Sequence, residues 1–117
     1  MSVSVAEYII ALKDGKVNFE DTMTVISTHY DFTPCSFRNG LGDNLVDNAI
    51  GQNEGSLKLF SFAYINMLDK ELTLRCFGRF YQDVLDNPEG KDHKNIRAFI
   101  ESGWEGVKFS RQALKLK

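Results

Sequence analysis

The sequence contains few cysteines and no long hydrophobic run. Only two of its 117 residues are cysteines, Cys35 and Cys76, which is too few for the disulfide framework of a small secreted scaffold. The longest apolar stretch, residues 57–68, is interrupted by polar residues and is shorter than the roughly 20 apolar residues of a transmembrane helix. The first residues lack the basic and then apolar segments of a secretory signal. We therefore expect no membrane span and a location in a reducing cytoplasm.

The sequence also lacks a strong excess of either positive or negative charge. The 14 basic and 16 acidic residues give a net charge of −2, although residues 1–57 carry −5 and residues 58–117 carry +3. Domains that bind nucleic acids are usually strongly basic on one face, and a surplus of three positive charges is too small for that. We therefore expect neither a nucleic-acid partner nor a membrane partner.

Apolar and aromatic residues are plentiful instead. Hydrophobic residues make up 43% of the chain and aromatic residues 12%, which argues against disorder. A chain of this length is the usual size of one domain and buries about 65% of its unfolded surface. We therefore predict a single domain over residues 1–117.

Helix-start signals occur at several points along the chain. Ser4 with Glu7 forms a capping box, Asn18 with Asp21 repeats that arrangement, and Asp69 is placed to cap another helix. Five helices are predicted, over about residues 5–13, 19–30, 57–68, 70–86 and 93–102. The residues expected to form the buried face of the third helix are Leu57, Phe60, Ala63, Tyr64, Met67 and Leu68.

The segment 70–86 is predicted to be one central helix, largely buried. Its polar residues Arg75, Arg79, Gln82 and Asp86 form a single narrow stripe, and the remaining positions are mostly apolar. Gly78 lies inside this segment, where glycine costs roughly 1 kcal/mol relative to alanine. A close approach of another stretch of backbone would explain the glycine.

The region between the second and third helices has the composition of loops and turns. Four glycines and four asparagines occur between residues 38 and 56. Short strands are predicted at residues 36–38, 45–50, 107–109 and 114–117, and Asn39 with Gly40 is a typical hairpin dipeptide. The pattern as a whole predicts a mainly helical α+β fold, with about five helices and a small sheet of short strands.

The residues that bind metals or transfer protons are few and widely spaced. His29, His93, Cys35 and Cys76 lack the close pairing of zinc ligands, so we expect no metal site and no cofactor. Asp92 is the expected cap of the last helix, and Arg97 with Glu101 forms a helical ion pair. His93 is the best acid–base candidate because an imidazole titrates near neutral pH, but the favoured interpretation is a helix-start residue in a loop. The sequence leaves open whether the protein is an enzyme.

The segment 51–58 is similar to a phosphate-binding loop without matching one. It has three residues between Gly51 and Gly55 and lacks the Gly-Lys-Ser/Thr ending of a Walker motif. A glycine-rich loop that enters a helix can still hold an anion on its N–H groups, with Lys58 adding charge. The favoured interpretation, however, is that Asn53 or Ser56 simply caps the following helix, because capping is the usual role of these residue types.

Three blocks of sequence resemble the HopJ type III effector proteins. They are residues 32–40 (FTPCSFRNG), 48–63 (NAIGQNEGSLKLFSFA) and 76–85 (CFGRFYQDVL), and matching positions continue as far as residue 107. The resemblance therefore covers nearly the whole chain.

The resemblance implies a bacterial protein that is made in the cytoplasm and delivered into host cells by a type III secretion system. The resemblance implies no established reaction. We therefore expect the protein to act by binding a partner, and this partner is a host protein if the chain is a true effector. The alternative is a cytosolic housekeeping enzyme or an anion-binding or phosphate-binding protein that uses the 51–58 loop with His93 and Arg97. The site candidates, chosen as the motif positions hardest to explain by packing, are Asn39, Asn53, Ser56, Arg79, His93, Asn95 and Arg97.

Overall fold

The structure is a computed structural model that describes residues 3–117, and it has a mainly helical α+β fold. The helices are α1 (Val5–Lys13), α2 (Phe19–His29), α3 (Glu54–Ile65), α4 (Lys70–Arg75), α5 (Arg79–Asp86) and α6 (Lys94–Ser102). The strands are β1 (Tyr30–Phe32), β2 (Phe37–Asn39), β3 (Val46–Asn48), β4 (Lys108–Phe109) and β5 (Leu114–Leu116). Short 3₁₀ turns cover Gly42–Asn44 and Gly103–Gly106.

The strands form two small antiparallel sheets. One sheet has the order β3-β2-β4, and the other pairs β1 with β5, with Tyr30 opposite Leu116. The predicted strands near residues 36, 45, 107 and 114 are therefore confirmed, whereas β1 was predicted as the end of the second helix. The predicted Asn39-Gly40 hairpin is replaced by a longer connection, because a 3₁₀ turn lies between β2 and β3.

The capping signals were the most reliable part of the prediction. Ser4 with Glu7 and Asn18 with Asp21 both form complete capping boxes, and the Asp69 side chain accepts a hydrogen bond from the N–H of Leu72 at 2.8 Å. These motifs need only neighbours within three residues, so local sequence is enough to specify them.

The segment 70–86 is two helices, not one. Gly78 has φ 57° and ψ −126°, which breaks the helix between α4 and α5. The predicted close approach is confirmed, because an added Cβ would lie 2.7 Å from the Cα of Asn18 and 2.8 Å from the backbone nitrogen of Phe19. The Asn18 side chain bridges the two helix starts, since its Oδ1 accepts from the N–H groups of Phe19 (2.9 Å) and Arg79 (3.0 Å).

The central buried helix is α3, and the prediction that the 70–86 segment has this role is wrong. Six α3 residues are buried, whereas Val84 is the one buried residue of α5. Aromatic rings pack around Phe60, whose centroid lies 5.0 Å from that of Phe99 and 5.6 Å from that of Phe77. The expectation that Tyr64 and Met67 are buried is also wrong, because they are 65% and 89% exposed.

The core also contains a hydrogen-bonded chain of polar groups. The Tyr8 hydroxyl lies 2.5 Å from Thr22 Oγ1, which donates to the carbonyl of Cys76 at 2.8 Å. Burial raises the pKa of the Cys76 thiol to about 12, and it also raises the pKa of the Tyr8 hydroxyl. Cys76 is therefore a protonated core residue, as the sequence predicted.

Candidate functional site

Two helices begin at residues in the left-handed conformation. Asn53, before α3, has φ 51° and ψ 44°, and His93, before α6, has φ 51° and ψ 48°. A normal capping residue is extended, so that its side chain folds back onto the first N–H groups of the helix. Neither Asn53 nor His93 makes such a bond, so within the described residues these two helix starts lack a side-chain cap. The predictions that Asn53 or Ser56 caps α3 and that Asp92 caps α6 are therefore wrong.

Both helix starts face the same open cavity, which has a volume of about 540 Å³. The polar part of its wall consists of Asn53, Ser56, Lys91, Asp92, His93, Lys94 and Asn95. The remaining wall is formed by Phe19, Val46, Gly55, Phe77, Phe80 and Ile96. The cavity therefore combines two helix N-termini with a largely aromatic side.

The helix dipoles and the side chains favour an anion in this cavity. The N-terminal end of a helix carries a partial positive charge and exposes N–H groups that can bind an anion. Lys91 and Lys94 add two cationic side chains to the wall. The one carboxylate in the wall, Asp92, is bonded to Arg97 at 2.9 Å, and Arg97 holds the pKa of that carboxyl below its ordinary value.

His93 lies between two acidic residues and an aromatic ring. Its Nε2 is 3.7 Å from Asp83 and 3.9 Å from Asp92, and its ring centroid is 5.5 Å from that of Phe80. Both carboxylate distances are longer than a hydrogen bond, so the two acids act on the imidazole as nearby charges. His93 is therefore positioned by its backbone and by Phe80 rather than by a bonded carboxylate.

A network of asparagine side chains fixes the base of the cavity. Asn95 Nδ2 donates to Asn48 Oδ1 at 2.9 Å, and Asn48 Nδ2 donates to Asn95 Oδ1 at 3.1 Å. Asn53 Nδ2 donates to Asn48 Oδ1 at 2.7 Å, and Asn39 Nδ2 donates to the carbonyl of Asn95, also at 2.7 Å. The network connects β2, β3 and the starts of α3 and α6, so it sets the position of one helix start relative to the other.

Arg97 shapes the loop beside the cavity. Its guanidinium donates to the carbonyl of Asp92 at 2.6 Å and to the carbonyl of Pro88 at 3.3 Å, and its side chain is only 18% exposed. The predicted ion pair with Glu101 is wrong, because the side chain of Arg97 turns back to the 88–92 loop. Arg97 thus holds the loop at both Pro88 and Asp92.

The seven site candidates fall into four groups. Asn53, Ser56, His93 and Asn95 line the cavity, and Asn39 is buried behind it in the asparagine network. Arg97 holds the adjoining loop. Arg79 lies outside the cavity, where it pairs with Glu20 at 2.6 Å and 2.9 Å. The expectation that Lys58 adds charge to the 51–58 loop is wrong, because Lys58 lies over the ring of Phe32 and does not line the cavity.

Sequence reasoning missed three polar residues of this region. Asn48, which is 2% exposed, is central to the asparagine network, and Lys91 and Lys94 supply the cations of the wall. The sequence signal for Asn48 was weak, because Asn48 is one of several asparagines in the 38–56 region. The signal for the two lysines was their position on either side of the Asp92-His93 pair.

Neither a metal-ligand cluster nor a membrane-spanning helix occurs in residues 3–117. Residues 3–117 contain no cluster of three or more His, Cys, Asp or Glu side chains placed to hold a metal ion. No helix in the same range has both the length and the apolar character needed to cross a bilayer.

Comparisons with known proteins identify one family and one similar structure. A family model described as "HopJ type III effector protein" matches residues 5–114. A crystal structure of a protein of unknown function, VPA0580, is 48% identical, with a TM-score of 0.93 over 100% of this chain and 97% of that chain. A comparison with curated proteins finds no significant match.

Proposed function

This chain belongs to the HopJ type III effector protein family, and we propose that it acts by binding an anionic group of its partner in the cavity between α3 and α6. The observation that carries the proposal is the convergence of two helix starts without side-chain caps on one cavity. Each start offers N–H groups and a positive dipole end, and these favour phosphate or carboxylate.

The aromatic part of the cavity wall limits which ligands fit the site. Phe19, Phe77 and Phe80 form an apolar surface beside the two helix starts. Such a surface accommodates the body of a ligand while the helix starts hold its anionic end. A phosphorylated side chain of a host protein fits this description, and so does a free phosphorylated metabolite.

The binding of phosphate is tested by NMR titration of the full chain. Inorganic phosphate, phosphotyrosine and a phosphotyrosine peptide are added separately, and the amide signals of residues 54–56 and 94–96 are followed. We expect both groups of amides to shift together, because both helix starts face the ligand. Tighter binding of the peptide than of phosphotyrosine would indicate a protein partner, and equal binding would indicate a small-molecule ligand.

Charge variants provide the control. Lys91→Gln and Lys94→Gln should each weaken phosphate binding by a factor of about 1.4–5, since an exposed ion pair contributes about 0.2–1 kcal/mol. Lys13→Gln, at the end of α1, removes the same charge outside the cavity and should leave the affinity unchanged. If the amides of residues 54–56 stay in place with all three ligands, the proposed site is wrong.

Delivery into host cells is the second part of the proposal, and it rests on the family assignment. A calmodulin-dependent adenylate cyclase fused to the C-terminus of the full chain should raise host-cell cyclic AMP when a strain with a working type III system carries the fusion. A strain lacking the secretion ATPase serves as the control. Equal cyclic AMP with both strains would contradict delivery by this route.

A further inference from the structure

Among the described residues, His93 is the one wall residue of the α3–α6 cavity whose charge changes near neutral pH. Its side chain is 27% exposed and lines the cavity together with Lys91 and Lys94. Lysine and aspartate side chains ordinarily keep their charge between about pH 5 and pH 8, whereas an imidazole gains a proton there. A change of pH in this range therefore changes the charge of the wall at His93.

Two carboxylates face the imidazole without bonding to it. Asp83 of α5 lies 3.7 Å from Nε2 of His93, and Asp92 of the preceding loop lies 3.9 Å from the same nitrogen. Both distances exceed a hydrogen bond. A protonated imidazole therefore keeps its positive charge available to a ligand in the cavity.

The other elements packed around His93 add no net charge. Phe80 of α5 packs on the imidazole, and Arg79 lies over the same Phe80 ring at 4.7 Å. Arg79 is paired with Glu20, so these two charges offset each other. The wall residues contributed by α2, β3 and α3 are uncharged, namely Phe19, Val46, Gly55 and Ser56.

The charges beside the cavity nearly cancel while His93 is neutral. In the part of the chain that the structure describes, three cations and two carboxylates leave a surplus of one positive charge, the groups being Lys91, Lys94, Arg97, Asp83 and Asp92. Protonation of His93 raises this surplus to two, at the residue that directly precedes α6. The attraction for an anion grows with the positive charge near it, so the protonated form should bind an anion more tightly.

We propose that protonation of His93 controls anion binding in this cavity, an inference that rests on the anion site proposed above. The imidazolium attracts the anion, so the affinity is highest below the pH range in which an imidazole titrates and falls as the pH rises through that range. Linkage makes the effect reciprocal, so a bound anion draws a proton onto His93 at intermediate pH. The site therefore takes up its ligand in acidic surroundings and releases it as the pH rises.

Sulfate is the probe for the test, because its charge does not change in this range, whereas a phosphate group itself titrates at about pH 6. Sulfate is added to the full chain at about pH 5.5 and at about pH 7.5, and the amide signals of residues 54–56 and 94–96 are followed. We expect binding to be tighter by about threefold or more at the lower pH. Calorimetry in two buffers of different ionisation enthalpy should show that protons are taken up as sulfate binds.

The two histidines of the chain supply a matched pair of variants. His93→Asn removes the titrating ring but keeps a residue type that tolerates the left-handed conformation, so both the pH dependence and the proton uptake should disappear. His29→Asn is the control, because His29 lies outside the cavity wall, with Nε2 2.7 Å from the carbonyl oxygen of Val3. Both effects should persist in His29→Asn.

Failure of the site and failure of the control by His93 give different results. If sulfate shifts no amide at either pH, the anion site and this inference are both wrong. If sulfate binds equally at the two pH values, or if His93→Asn keeps the pH dependence, the anion site stands and the role of His93 is overturned. Should His93→Asn not fold, an absence of proton uptake by the unaltered chain would overturn that role as well.

Discussion

Replacing Gly78 by alanine is expected to destabilise the protein by about 3–5 kcal/mol. The backbone at Gly78 has φ 57° and ψ −126°, a conformation that residues with a Cβ adopt only with strain. The new methyl group would also press on Asn18 Cα and on the backbone nitrogen of Phe19, at 2.7 Å and 2.8 Å. Backbone atoms at the start of α2 cannot move aside as a flexible side chain can, so the two costs add.

Urea unfolding followed by circular dichroism measures this loss. Gly15→Ala is the matched control, because Gly15 also has a positive φ of 71° but an added Cβ there would meet no atom of the described residues within 4 Å. Strain alone should cost the control about 1–2 kcal/mol. If the two variants lose the same stability, the contact between Gly78 and the start of α2 contributes nothing.

Replacing Asn95 by alanine should cost about 2–4 kcal/mol and loosen the cavity at the same time. Its side chain accepts from Asn39 at 3.0 Å and exchanges two hydrogen bonds with Asn48, and both partners are buried. Removing one member leaves buried amides unpaired, which costs more than the bonds themselves contribute. Asn39 Oδ1 already lacks a partner among residues 3–117, so the network has little capacity to rearrange.

The Asn95→Ala experiment has two measurements. Urea unfolding gives the loss in stability, and hydrogen exchange of the amides at residues 54–56 and 94–96 reports on the two helix starts. Asn87→Ala is the control, because Asn87 is exposed and its side chain makes one local bond, to the carbonyl of Asp83. Faster exchange at α6 alone, with α3 unaffected, would contradict the role of the network in joining the two starts.

Local rules predicted the parts of the fold that depend on neighbouring residues. The caps at Ser4, Asn18 and Asp69 and the chain reversals at Gly15 and Gly103 all follow from sequence within one turn. The mainly helical α+β class follows from the periodicity of the apolar residues in the same way.

The features that sequence reasoning missed depend on distant residues. The apolar pattern runs through Gly78 without interruption, and the break there is produced by contact with Asn18, about 60 residues away in the chain. The left-handed start at Asn53 is bonded to an asparagine network that spans residues 39 to 95, and the left-handed start at His93 lies two residues before Asn95 of the same network. No local pattern specifies such contacts, so the candidates could be named from the sequence but their arrangement could not.

The pairing of β1 with β5 affects the order in which the protein can fold. Residues 30–32 find their partner strand only at residues 114–116, so this sheet cannot form until nearly all of the chain has been synthesised. Contacts between such distant segments form slowly, because a long loop must close before any hydrogen bond is made. During synthesis the N-terminal third therefore carries an unpaired strand, and this strand stays exposed until the last few residues of the chain have been made.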